Sequence, residues 1–307
     1  LLDAPASGRM AIGEALTNLM GAPVGALAQV NLSANWMAAC GHPGEDARLY
    51  DTVEVVGRAL CPALWIAIPV GKDSLSMKTV WDEGGEQRAV TSPLTLVVSA
   101  FAPANDVRRG VTPALAADPQ STLYLLDLGG GRRLGGSALA QVYGQLGDVA
   151  PDLDDPDVFV RGFDTVQSLL AEGWVQALHD VSDGGVLVTL AEMAFAGRAG
   201  VAVDLSLLAE APLAAAFAEE LGVVIEVSAE NHGRVEAAFE AAGLAERFTR
   251  LGRPTAARHL VVRHHGAVVL DESLVDLEAA WHETSYQLQS LRDDPTCAQE
   301  AHEQVWD

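Results

Sequence analysis

Apolar residues recur at helical spacing from Ala6 to Met20, through Met10, Ile12, Leu16 and Leu19, with Ser7 as the N-cap and Gly21-Ala22-Pro23 as the stop. Pro43-Gly44-Glu45-Asp46 opens a second helix, its acidic residues in the first turn where the helix dipole favours them. Leu49, Val53, Val56 and Leu60 mark its apolar face. Leu64 to Val70 then reads as a buried strand and Leu94 to Phe101 as another, with a polar hairpin around Gly84-Gly85 between them.

The stretch Ala102 to Gln120 is rich in Pro, Ala and Asp and predicts a domain boundary. Beyond it the chain alternates: strand Leu123–Leu128, glycines 129–131, a helix from Ser137 and a helix over Val158–Ala171. Strand Val175–Val181, the turn Ser182-Asp183-Gly184-Gly185 and helix Val186–Phe195 follow, and the alternation continues to Gly252. Such alternation predicts an α/β sandwich. The tail differs. His259–Val262 and Ala267–Leu270 form a hairpin turned at His265-Gly266. Ser273 and Asp276 then cap a helix with Leu274, Leu277, Trp281, Leu288 and Leu291 on one stripe, and after Pro295 the chain reads as a polar linker.

Composition narrows the function. The 307 residues are 49% hydrophobic and 20% charged, a globular balance with room for two domains. A formal charge of −23 argues against a nucleic-acid partner, which needs basic clusters to neutralise phosphate. It is compatible with a nucleotide if Mg²⁺ bridges carboxylates to phosphates. Three cysteines, with no CxxC pair, fit a reducing compartment and a cytoplasmic protein. No apolar run reaches the roughly 18 residues of a membrane span, so no membrane partner is expected.

Four segments could carry chemistry. Glu14 and Asn18 stand four apart on one helix face, a spacing that suits a hard cation and equally suits a solvated surface. His179-Asp180-Val181-Ser182-Asp183-Gly184-Gly185 ends a strand and begins a helix. There a carboxylate can hold a metal, and Ser182 with the following amides can meet a phosphate; a plain Asp/Ser-capped turn fits as well. Gly71-Lys72-Asp73-Ser74 is not a P-loop, since Ile66 replaces the first glycine and Asp73 follows the lysine; Lys72 pairs with a phosphate or lies on a polar edge strand. Gly129-Gly130-Gly131 lacks dinucleotide-loop spacing and reads better as a flexible connection. His42, His264 and His265 read as structural, and no zinc spacing or Ser/His/Asp set is legible.

The motifs taken in order go further. Gly13-Glu14-Ala15-Leu16-Thr17-Asn18, Leu32-Ser33-Ala34-Asn35-Trp36-Met37, Gly41-His42-Pro43-Gly44-Glu45-Asp46, Pro69-Val70-Gly71-Lys72-Asp73-Ser74, Leu134-Gly135-Gly136-Ser137 and Glu192-Met193-Ala194-Phe195-Ala196-Gly197-Arg198 resemble the large phosphoribosylformylglycinamidine synthases. The tail from Trp281-His282-Glu283-Thr284-Ser285 to Pro295 resembles the segment before that family's glutaminase.

The resemblance implies an α/β fold of two domains like aminoimidazole ribonucleotide synthetase. They are placed at residues 1–117 and 118–258, with a hairpin, helix and linker over 259–307. It implies a part of the ATP- and glutamine-dependent ligase that makes formylglycinamidine ribonucleotide in purine biosynthesis, namely the second half of its synthetase region. Glu14, Asn18 and Asp180 match metal ligands and Ser182 a nucleotide contact, with Mg²⁺ and ATP or ADP as cofactors. No catalytic residue is expected in this segment. The family's further metal-binding aspartate falls upstream of Leu1, its catalytic histidine in the N-terminal part, and its glutaminase beyond Asp307. The expected partners are therefore nucleotide and the rest of the same polypeptide, and the segment is expected to be inactive alone. Two alternatives are a stand-alone synthetase or kinase of the superfamily, and a half whose bound nucleotide only stabilises the fold.

Overall fold

A computed structural model describes residues 1–306; Asp307, the last residue of the predicted linker, lies outside the described residues. Helix α1 (Ala4–Thr17) starts earlier than its periodicity suggests, because Asp3 caps it by accepting from the Ala6 amide at 2.8 Å. Pro5 in the first turn needs no amide partner, and the Ser7 hydroxyl instead donates back to the Ala4 carbonyl. Strand β1 (Asn31–Met37) follows, then helix α2 (Glu45–Glu54), which runs through a π-helical turn (Val55–Leu60) into α3 (Cys61–Ala63). Val56 and Leu60 are buried as predicted, whereas Val53 is exposed and Thr52 takes the inner face.

Strand β2 (Ala67–Ser74) corrects the buried strand expected at Leu64–Val70. Leu64 caps α3, and β2 pairs only with β1, so it is a largely exposed edge strand that includes Lys72. β3 (Lys78–Glu83) and β4 (Glu86–Thr91) make a separate hairpin, and β5 (Thr95–Phe101) completes a three-stranded sheet of order β2-β1-β5.

The second unit holds β6 (Thr122–Asp127), α4 (Ala138–Val142), α5 (Pro156–Glu172), β7 (Ala177–Asp180), α6 (Gly185–Gly197) and β8 (Gly200–Asp204). It continues through α7 (Pro212–Phe217), β9 (Gly222–Val227), α8 (His232–Ala241), β10 (Phe248–Thr255), β11 (His259–His264) and β12 (Ala267–Ser273). Its seven strands run β12-β11-β8-β10-β6-β9-β7, antiparallel except for β8 against β11. Both faces are covered. Tyr124, Leu126, Val223, Ile225 and Val227 face α5 and α8, while Leu123, Leu125 and Val224 face α6. This is the period-two alternation of a strand placed between two helical layers.

The tail hairpin turns at His265 and Gly266, both at positive φ, and leads into α9 (Leu274–Arg292). The expected linker is instead a helix, α10 (Pro295–Glu303), capped by Asp294, whose carboxylate accepts from the amides of Thr296 and Cys297. No helix among the described residues is long and apolar enough to cross a membrane. The three cysteines are unbridged.

Among the described residues no strand passes from one sheet to the other, yet one apolar core spans both units. Ile12, Leu16 and Met20 of the α1 region pack in the same cluster as Phe159, Phe163 and Val223. Gln167 on α5 fastens this seam: its Oε1 accepts from the amides of Val24 and Gly25, both at 2.9 Å, and its Nε2 donates to the Met20 carbonyl at 3.1 Å.

Candidate functional site

The packing of α1 on the second unit lays one helix face beside the β7–α6 turn. Glu14 and Asn18, one helical turn apart, meet different residues of that turn. The Ser182 hydroxyl donates to Glu14 Oε1 at 2.9 Å, and Asn18 Nδ2 donates to Asp180 Oδ2 at 3.1 Å. All four predicted residues thus lie along one seam. They border two cavities: one of about 250 Å³ contains Glu14 and Ser182 in its wall, and one of about 600 Å³ contains Asn18 and Asp180.

The turn itself is built for close packing. Gly184 and Gly185 both adopt positive φ, and a Cβ at Gly185 would meet backbone atoms of residues 216–218 within 2.9 Å. Their amides are already used. Gly185 donates to the Ser182 carbonyl at 2.9 Å, and Gly184 donates to Glu219 Oε1 at 2.8 Å. The same Glu219 oxygen accepts from the Ala138 amide at 2.8 Å, so one carboxylate joins the N-termini of α4 and α6. Burial raises the Glu219 pKa, the two amide donors oppose this, and Asp183 and Glu14 add to the rise. The donors that the sequence offers to a phosphate are therefore satisfied internally. Glu219 carries no local signature and was missed.

Behind the turn, His179 sits between two carboxylates, with Nδ1 3.1 Å from Asp180 Oδ1 and Nε2 2.9 Å from Glu192 Oε2. Burial alone would lower its pKa, but hydrogen bonds and charge from Asp180 and Glu192 prevail and push it up to about 9. Glu192 is held below its ordinary value chiefly by His179. His179 was legible only as the neighbour of Asp180.

The other candidates take structural places. A Cβ on Gly129 would meet Glu220, and one on Gly130 would meet Asp154, so this loop packs against an ion-pair cluster in which Arg133 Nη2 lies 2.7 Å from both carboxylates. Lys72 lies on β2 and borders neither cavity, and the buried His264 uses Nε2 on the Ala209 carbonyl.

A hard cation fits the donor types. Glu14 and Asp180 supply carboxylate oxygens and Asn18 an amide, whose oxygen and nitrogen exchange places on a half-turn. No group of three or more His, Cys, Asp or Glu side chains suited to a metal occurs among the described residues, so a cation here takes its remaining ligands from elsewhere. Neither cavity wall contains Lys or Arg.

Comparison with known proteins gives the domains. Residues 1–103 match the family model of the FGAR-AT PurM_N-like domain, and residues 121–265 that of the AIR synthase related protein, C-terminal domain. Among solved structures, T. maritima PurL complexed with FGAR is 14% identical with a TM-score of 0.66, over 90% of this chain and 43% of that one. T. maritima PurL complexed with ATP is 15% identical with a TM-score of 0.62, over 88% and 40%. E. coli HypE, a hydrogenase maturation protein, is 19% identical with a TM-score of 0.55, over 84% and 79%. At these identities the likeness is one of fold, and the chain spans about two-fifths of the PurL chains.

Proposed function

We propose, for a chain that carries an FGAR-AT PurM_N-like domain followed by an AIR synthase related C-terminal domain and so falls within the PurL/AIR-synthase-like family, that it is the nucleotide-holding second half of a formylglycinamide ribonucleotide amidotransferase. The parent ligase would use ATP and glutamine to convert formylglycinamide ribonucleotide to formylglycinamidine ribonucleotide. The observation that carries this reading is the seam itself: α1 and the β7–α6 turn, far apart in sequence, meet through Glu14–Ser182 and Asn18–Asp180. Glu14, Asn18 and Asp180 would hold Mg²⁺, and Ser182 would contact the nucleotide. The absence of Lys and Arg from both cavity walls supports a cation, because the one basic side chain there, His179, is already paired with Asp180 and Glu192, and phosphates would otherwise lie beside Glu14, Asp180 and Asp183. When bound, Mg²⁺ would neutralise phosphate oxygens and fix their orientation. Ser182 can turn its hydroxyl from Glu14 to a ligand oxygen, while the engaged amides of Gly184 and Gly185 hold the turn's shape.

The test is retention of Mg·ADP by the 307-residue protein in equilibrium dialysis. Asp180→Asn should weaken binding at least about tenfold, since even outer-shell changes at metal sites reach that size. Equal retention by wild type and variant, or none by wild type, refutes the site. A second reading, a stand-alone ATP-dependent synthetase of the superfamily, draws on the 79% coverage of HypE. Substrate-dependent ATP turnover by the chain alone would favour it; the leading reading expects neither glutamine hydrolysis nor amidine formation.

A further inference from the structure

Asp180 is the inner end of a hydrogen-bonded chain that leaves the domain. Its Oδ2 accepts from Asn18, and its Oδ1 faces His179 Nδ1. His179 Nε2 meets Glu192 Oε2, and Glu192 Oε1 accepts from the indole Nε1 of Trp281 at 3.1 Å. Both oxygens of Asp180 are thereby fixed, and so is its side-chain rotamer. The outer end lies on α9, beyond residue 265 where the second domain model stops.

The attachment of α9 to the second unit is narrow. Leu274 is buried and Leu277 packs on the α6-side core, but Leu288 and Leu291 of the same stripe are 61% and 87% exposed. Trp281 leans on Phe195 with ring centroids 6.1 Å apart and is itself 57% exposed. Ring packing alone does not require the indole N–H to face Glu192. The N–H does face it, and Glu192 spends its other oxygen on His179.

We propose that Trp281 is a positioning residue for Asp180: the seating of α9 sets the geometry of the Asn18–Asp180 pair through Glu192 and His179. This rests on the Mg-nucleotide reading for its consequence, which is that movement of α9 changes nucleotide affinity at a site it does not touch. The coupling runs through side chains with defined partners and needs no displacement of the sheet. Outer-shell partners of this kind hold a ligating group in its working orientation.

The experiment compares wild type with Trp281→Phe, which keeps a ring on Phe195 and removes the N–H, and with Glu192→Gln. Leu288→Ala on the same helix is the control. Amide hydrogen exchange across residues 178–182 is read without ligand, and Mg·ADP affinity by dialysis. Trp281→Phe and Glu192→Gln should speed exchange across that turn several-fold and weaken Mg·ADP by roughly three- to tenfold, at the lower end for outer-shell partners. Exchange in the β11–β12 hairpin should not change, and Leu288→Ala should do neither. Wild-type exchange at 178–182 in Trp281→Phe overturns the proposal. If wild type binds no Mg·ADP, the functional reading fails while the exchange arm still decides the coupling.

Discussion

The two sheets of this chain obey different rules. In the seven-stranded sheet the central strands β6 and β9 are covered on both faces, and Val223, Val224 and Ile225 are fully buried in succession. In the three-stranded sheet only the helix side is covered: Leu32 and Ala34 are buried, while Val70, Val97 and Phe101 remain 49–62% exposed. The larger sheet has a core of its own on the α6 face and shares the core on its other face with α1. The smaller sheet depends on α1, whose apolar residues it shares with α5 and the larger sheet. Stability therefore concentrates on one side of the seam, and the candidate site sits on the seam.

The largest expected effect tests that concentration. Phe163→Ala empties a fully buried position between α5 and the seven-stranded sheet and should cost about 3–5 kcal/mol in urea unfolding. Val97→Ala, on the open face of the smaller sheet, should stay within about 0.5 kcal/mol. Comparable losses at the two positions would break the contrast.

Gln167→Leu sharpens it. The variant keeps an apolar stem but strands two amides and a carbonyl that the glutamine satisfies across the seam. A loss of about 2–3 kcal/mol is expected, with both units unfolding together. If circular dichroism shows the second unit melting as in wild type while the first melts early, the shared core does not couple them.

The smallest effect is a titration. Burial beside the shared core pushes the Cys61 thiol from 9.0 up to about 11. The folded chain then keeps a proton that the unfolded chain releases, so the associated stability is full below pH 9 and is lost as pH rises through about 11. At pH 8, mass spectrometry after brief iodoacetamide treatment should find Cys61 unmodified and the exposed Cys297 alkylated. Rapid modification of Cys61 would show that the smaller sheet opens readily.

Sequence pattern was legible where burial is decided locally. β6, α5 and α6 emerge from period-two and helical spacing because neighbouring layers cover defined faces. β2 was misplaced because an edge strand with Pro69, Gly71 and Lys72 has no alternation to read. The linker after Pro295 was misread because α10 is mostly polar and owes its start to the Asp294 cap. At the site, Glu14 with Asn18 and Asp180 with Ser182 were visible as two local pairs. Their cross-pairing, over separations of 162 and 168 residues, is a product of packing. Glu219-Glu220 carries no local signature, yet Glu220 is 3% exposed against Arg133 and Glu219 lies between two helix starts.

That last placement bears on how the protein meets its ionic surroundings. Helix starts attract whatever anion is at hand, and chloride or free phosphate ordinarily shuffle through such positions as the medium changes. Here the anion is a side chain of the same polypeptide, 35 residues along from Gly184 and folded back against it, at a local abundance that dissolved ions compete with poorly. At the β7–α6 turn, next to Asp180 and Ser182, the amide of Gly184 thus meets an anion that the chain carries with it instead of one drawn from the solution.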